Sequence, residues 1–154
     1  MKVVQSLRAA AQPLRRSTRA TAQVARPHVI RIDVDARLSE AAIHNGTVYL
    51  AGQIPEIKSS DEYEQTKDVL RCVDQLLARC GSHKSLILMA MCYLTGPEYF
   101  PGFNKAWDEW TADMKGSAPP RATVTNVKLA DPSWKVEVVV TAAQRSGTMS
   151  EESN

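Results

Sequence analysis

Glu40-Ala41-Ala42-Ile43-His44-Asn45-Gly46-Thr47-Val48-Tyr49-Leu50-Ala51 is the stretch whose reading decides the fold. Two β-prone runs, Glu40 to His44 and Val48 to Ala51, flank Asn45-Gly46-Thr47. Asn-Gly between such runs predicts a β-hairpin, because a type I′ turn needs positive φ at both central positions. Upstream, His28 to Asp33 reads as a short strand. Downstream, Ser59-Ser60-Asp61-Glu62 fits a capping box, and Asp61-x-x-Glu64 is an equally good register. Val69, Leu70, Val73, Leu76, Leu77 and Cys80 then recur at helical spacing, and Gly81 follows as a C-terminal cap. This predicts one amphipathic helix of about five turns, with Asp68, Arg71, Asp74 and Arg79 on its wet side.

Further along, Leu86 to Leu94 is apolar throughout and strand-sized, which predicts a central strand buried on both faces. Thr95-Gly96-Pro97-Glu98 opens a second helix, with Pro97 in the first turn where a missing amide costs nothing. Phe100, Phe103, Trp107 and Trp110 form one aromatic face, which reads first as packing against a sheet. After Pro119-Pro120 come two strands, Arg121 to Leu129 and Lys135 to Ala143, joined through Asp131-Pro132-Ser133. The order β-ββ-α-β-α-ββ describes a two-layer α+β domain with a mostly antiparallel or mixed sheet of six strands. Two helices cover only one face of such a sheet. Val136, Val138 and Val140 would give the other face an apolar surface, so an obligate oligomer is expected.

The 154 residues suffice for one domain, and no run of 18 apolar residues is present to span a membrane. Three cysteines make no disulfide framework, and Cys72 and Cys80 would be separated by roughly 12 Å of helix, so all three read as reduced thiols. The net charge of +2 misleads, because residues 1–27 hold six of the 19 bases and no acid. Removing those six leaves 13 bases against 17 acids, about −4 for residues 28–154, a field that repels nucleic acid. The leader, 1–27, is rich in Arg, Ala, Ser and Thr and has the composition of a mitochondrial transit peptide; a basic tail or a misassigned start is the plainer alternative. The expected organisation is thus a leader at 1–27, a folded domain at 28–145 and a loose polar tail at 146–154. The expected location is the mitochondrial matrix, otherwise the cytoplasm.

No phosphate-binding glycine loop, C-x-x-C or H-E-x-x-H is present, and His28, His44 and His83 lie on unrelated elements. No metal or cofactor is expected, and the cysteines sit in apolar patterns without nearby bases. Two charges stand out. Arg121 begins a strand just after two prolines, and Glu137 interrupts the aliphatic run Val136 to Val140. Each has two open readings. Glu137 is either the polar side of an alternating strand or a buried carboxylate with a partner, and Arg121 is either a surface cation or a site residue. Two strands joined by a short turn would be able to bring them into one cleft.

Tyr49-Leu50-Ala51-Gly52-Gln53-Ile54-Pro55, Gln65, Phe103-Asn104-Lys105-Ala106-Trp107, Pro120-Arg121-Ala122-Thr123-Val124 and Lys135-Val136-Glu137 occur in that order. The set resembles the YjgF/YER/RidA family of reactive-intermediate deaminases over about residues 28 to 143. Ile30-Arg31-Ile32-Asp33, Ile43-His44-Asn45 and Asn104-Lys105-Ala106-Trp107-Asp108 are closer to its YoaB-like branch. The resemblance implies a chorismate-mutase-like α+β homotrimer with sites between subunits. It also implies hydrolysis of 2-imino acids and their enamine tautomers to 2-keto acids and ammonia, without metal or cofactor. On this analogy Arg121 grips the substrate carboxylate, Glu137 positions or activates water, Gly52 lies against the substrate, and Asn104 and Thr123 stand near the cleft. Three departures bear on substrate choice: Leu38 stands where well-studied members have an aromatic, Ala51 where they have a serine, and Thr123 where they have a cysteine. The competing expectations are a catalytically weak ligand-binding or regulatory trimer, and a ribonuclease or translation inhibitor.

Overall fold

Asn45 and Gly46 both take positive φ, 50° and 72°, and close the expected type I′ hairpin. The computed structural model describes residues 28–145; the leader and tail readings lie outside the described residues. The hairpin strands are β2 (Ser39–His44) and β3 (Thr47–Leu50), and β1 (Ile30–Val34) pairs antiparallel with β2. Then come α1 (Glu62–Arg79), β4 (Ile87–Leu94), α2 (Phe100–Thr111), β5 (Arg121–Val124) and β6 (Val136–Ala143), the order read from the sequence. The sheet runs β1-β2-β3-β6-β4-β5, with β4 and β5 parallel and the other neighbours antiparallel, so it is mixed.

Of the two capping registers, the chain uses the second. The Asp61 carboxylate accepts the Glu64 amide at 2.9 Å, and Ser59 Oγ accepts the Asp61 amide at 3.1 Å. At the far end Gly81 takes φ 68°, and its amide and that of Ser82 bond Ala78 O and Leu77 O, closing the helix in a Schellman arrangement. The apolar stripe of α1, Leu77 included, and the Phe103 and Trp107 rings of α2 bury Val48, Leu94, Val136, Val138 and Val140 on one side of the sheet.

Several expectations need correction. Asp68 is buried rather than wet, because it stitches the loop before α1 to the helix: Oδ2 accepts the amides of Glu56 and Ile57 at 2.7 and 3.0 Å, and Oδ1 accepts Arg71 Nη2 at 2.7 Å. Val136, Val138 and Val140 do not face a partner. They are 1%, 0% and 1% exposed beneath the helices, while Val139 and Glu137 take the opposite phase. A run of four valines around one glutamate fits either phase, and only the pairing decides between them. Nor is β4 buried on both faces. Leu88 and Met89 are 53% and 43% exposed, and Tyr49 and Val124 are exposed as well, so the apolar open face is there but is built from different residues. Leu86 falls in a 3-10 turn ahead of β4, and Pro97–Tyr99 form another ahead of α2. Finally, β5 stops at Val124 rather than Leu129, since Asn126 turns left-handed at φ 62°.

Candidate functional site

Arg121 opens β5 opposite Ala90, which is fully buried, so its side chain lies on the face that the helices cover. Pro120 fixes the approach, its carbonyl accepting the Ala90 amide at 3.0 Å. The aromatic face of α2 has a second use here. The guanidinium sits 5.1 Å from the Phe103 ring centre, 4.9 Å from Trp107 and 6.0 Å from Phe100. Nη2 donates to Asn104 Oδ1, and Nη1 is shut off from solvent with no hydrogen-bond partner. Among the described residues no carboxylate pairs with this cation. Thr123 lies two positions along β5 on the same face, opposite buried Cys92. The structure therefore brings together Arg121, Asn104 and Thr123 at the edge of the sheet.

Gly52 and Glu137 form a second group. Past β3 the chain pairs again with β6, Gln53 N donating to Val138 O at 2.9 Å and Val138 N to Gln53 O at 3.0 Å. This lays Gly52 against the Glu137 side chain so closely that a Cβ on Gly52 would stand 2.8 Å from Glu137 Cδ. Both residues line a cavity of about 660 Å³, with Leu38, Glu40, Gln53 and Trp134 also in its wall. Glu40 Oε2 accepts a long bond of 3.5 Å from Gln53 Nε2. Arg79, also in the wall, is paired to Asp33 of β1.

Within one chain the two groups do not share a cleft, contrary to the expectation from a short β5–β6 turn. β4 lies between these strands. Arg121 aligns with Ala90 and Glu137 with Tyr93. Three residues along a strand is about 10 Å, and an odd step places the two side chains on opposite faces.

Burial pushes the Cys72 thiol up to about 11 and Cys92 to about 12, so both stay protonated at neutral pH. Cationic neighbours do exist, against expectation: Arg71 Nη2 lies 3.4 Å from Cys72 Sγ, and the charge of Arg121 acts on Cys92, but burial outweighs both. Glu56, Asp68 and Cys72 come close enough together to suggest a cation site. Arg71 already supplies the cation there, 2.6 Å from Glu56 and 2.7 Å from Asp68. Burial opposes ionisation of Asp68, but the bonds from Arg71, Ile57 and Glu56 outweigh it and hold this carboxyl below its ordinary range. Glu40 and Trp134 went unnoticed as site residues in the sequence. The one available signal was a large aromatic placed directly after the Asp131-Pro132-Ser133 turn, where solvent-facing polar residues are usual.

Fold and site together define a class: a small two-layer α+β subunit with an arginine at one sheet edge, paired to no carboxylate among the described residues, and a carboxylate-bearing cavity between α1 and the chain that follows β3. The sequence profile of the family described as Endoribonuclease L-PSP matches residues 29–144. A RutC family protein of Haemophilus ducreyi is 50% identical over 115 residues, which are 75% of this chain and 96% of the relative. The RutC family protein YoaB of Escherichia coli is 43% identical over 115 residues, 75% of this chain and 97% of YoaB. A crystal structure of a YjgF-family protein from Neisseria meningitidis superposes with a TM-score of 0.72 at 39% identity, covering 77% of this chain and 96% of that one. The chain belongs to the YjgF/RutC family, and its YoaB relative places it in the YoaB-like branch. Among the described residues no helix is long and apolar enough to cross a membrane.

Proposed function

We propose that the protein hydrolyses reactive 2-imino acids and their enamine tautomers, such as 2-aminoacrylate, to 2-keto acids and ammonia. It acts as a homotrimer, with each site completed between two copies. The observation that carries this reading is Arg121: a half-buried guanidinium, steered by three rings and an asparagine amide, with no anionic partner among the described residues. A buried unpaired charge is costly, and a planar fork binds a carboxylate through two parallel bonds. The substrate carboxylate supplies that anion. Glu137, set against Gly52 in the cavity of the neighbouring copy, receives the imine carbon.

In the reaction, Glu137 accepts a proton from water as the oxygen bonds to the imine carbon. The C=N electron pair moves to nitrogen, giving a tetrahedral carbinolamine. Glu137 returns the water proton to nitrogen, completing the amino group; the hydroxyl proton then passes through Glu137 to the same nitrogen, and ammonia leaves with the C–N electron pair as the C=O of the keto acid forms. Because the imine is already electrophilic, holding it by its carboxylate against one acid–base group is sufficient. Thr123 adds a hydroxyl beside Arg121, on the same face of β5. The acid-free leader favours the mitochondrial matrix as the place of action, with the cytoplasm as the alternative, and a fusion of residues 1–27 to a fluorescent protein tests the two.

The experiment generates 2-aminoacrylate in situ and follows keto-acid release. The wild type accelerates release above background, Arg121→Ala abolishes the acceleration, and Glu137→Gln slows turnover while keto-acid binding persists. Equal rates for Arg121→Ala and wild type would sink the reading. Binding without turnover in the wild type would leave the ligand-binding trimer instead. A ribonuclease is disfavoured by the net charge of about −4 over residues 28–154.

A further inference from the structure

The cavity beside Glu137 is larger than a three-carbon acid needs. At about 660 Å³ it falls in the range, roughly 300–1,000 Å³, that encloses drug-sized ligands. One wall is Trp134, carried on the loop between β5 and β6. A loop that carries an indole is ordinarily free to swing, but the backbone of this one is held. Asp131 makes an Asx turn, its Oδ1 accepting the amide and hydroxyl of Ser133 at 2.8 and 2.6 Å, while its carbonyl accepts the Trp134 amide at 3.1 Å.

Gln65 completes the restraint. It projects from the first turn of α1 and is only 1% exposed. Its Nε2 donates to Ser133 O at 3.0 Å and to Ser59 O at 2.6 Å, and its Oε1 accepts the Lys135 amide at 2.8 Å. One buried amide thus grips the residues on both sides of Trp134. Across the cavity Leu38 is similarly set, its amide bonded to Asp35 Oδ1 at 2.9 Å. The remaining charged walls are three carboxylates and one paired cation: Arg79 is paired to Asp33 and its charge also acts on Glu40, Glu56 is paired to Arg71, and Glu137 has no basic partner among the described residues.

We propose that Trp134 and Leu38 form a side-chain subsite for imino acids with bulky, non-acidic side chains, and that Gln65 is the positioning residue that holds Trp134 in place. The assignment deepens the deaminase reading and rests on it for the reaction. A large apolar side chain leaves water for the indole and Leu38 faces, and one bearing a carboxylate is turned away by Glu40 and Glu137.

Two measurements test this on the full-length protein. Imines of leucine, alanine and glutamate are generated in situ with an amino-acid oxidase, and kcat/KM is compared. Wild type favours the leucine imine over the glutamate imine by at least about tenfold. Trp134→Ala and Gln65→Leu each cut the leucine-over-alanine ratio of kcat/KM about tenfold, and Trp134→Phe keeps the wild-type preference. Equal losses on both imines, or an unchanged preference, would overturn the subsite. Separately, 4-methyl-2-oxopentanoate alters the wild-type indole fluorescence more than pyruvate does, and that excess disappears in Trp134→Phe, where only the response of Trp107 beside Arg121, common to both acids, remains. An excess response to the larger acid that survives Trp134→Phe also overturns the proposal. The fluorescence needs no turnover, so a response without hydrolysis refutes the deaminase reading and keeps the subsite, while hydrolysis without a response does the reverse.

Discussion

Adding a single methyl group at Gly52 separates architecture from chemistry at this site. A Cβ there would enter the space of Glu137 Oε1 and stand 2.8 Å from Cδ and 3.2 Å from Cγ. The obstacle is the outer part of a flexible side chain, not backbone, so the carboxylate swings aside and the fold survives. Overpacking costs about 1–3 kcal/mol, and with so yielding a neighbour the lower end applies, a fall in Tm of several degrees. The chemistry suffers far more, because displacing a reacting group by about 1 Å costs on the order of 100-fold in rate. Gly52→Ala is therefore expected to lower kcat for 2-aminoacrylate hydrolysis about 100-fold, with keto-acid affinity nearly unchanged because Arg121 is untouched. Rates come from keto-acid release, affinity from calorimetry and Tm from circular dichroism. A Gly52→Ala protein with wild-type kcat would show that the position of Glu137 is irrelevant to turnover, and the assigned role of Glu137 would be wrong.

Removing the amide that steers the guanidinium, in Asn104→Ala, should weaken keto-acid binding by about 1.5–3 kcal/mol, at least tenfold in Kd by calorimetry, with little change in Tm. Asp68 gives a pH signature. Its folded-state pKa lies below its unfolded value of about 3.9, so its stabilisation is full above that value and is lost as pH falls through the folded pKa. Asp68→Asn should accordingly lower the urea midpoint at pH 7, and the gap to wild type should narrow below about pH 4; a gap independent of pH would contradict the linkage. On the open face, Met91→Arg places a charge beside Val139, its partner in β6. The expected outcome is dissociation in light scattering with loss of turnover, and an intact trimer would show that this face is not the contact.

Much of the fold was legible because its signals are local. Asn45-Gly46 demands a turn with positive φ, Gly81 demands a helix end, and the apolar spacing from Val69 to Cys80 demands a helix. Signals that depend on partners were not. The phase of the valine-rich β6 is set by its neighbours β3 and β4, and so Val136, Val138 and Val140 read as the outer face until the pairing turned them inward. Asp68 read as wet because helical spacing takes no account of the loop at Glu56 and Ile57 that folds over it. At the site, Arg121, Glu137 and Gly52 stood out through context and resemblance. Their division between two faces of the sheet follows from β4 lying between β5 and β6, a long-range arrangement that no spacing along the chain encodes. Trp134 escaped notice because its importance comes from Gln65, 69 residues earlier, reaching across to the residues that flank it.

The separation of Arg121 from Glu137 by β4 has a genetic consequence. If each working centre draws its arginine from one copy and its glutamate from the next, two differently crippled alleles rescue one another. In a closed ring of three that mixes Arg121→Ala with Glu137→Gln chains, one junction always unites an intact arginine with an intact glutamate. Co-expressed in equal amounts, these two impaired proteins should recover about a quarter of normal output, whereas a single chain carrying both lesions gains nothing from co-expression.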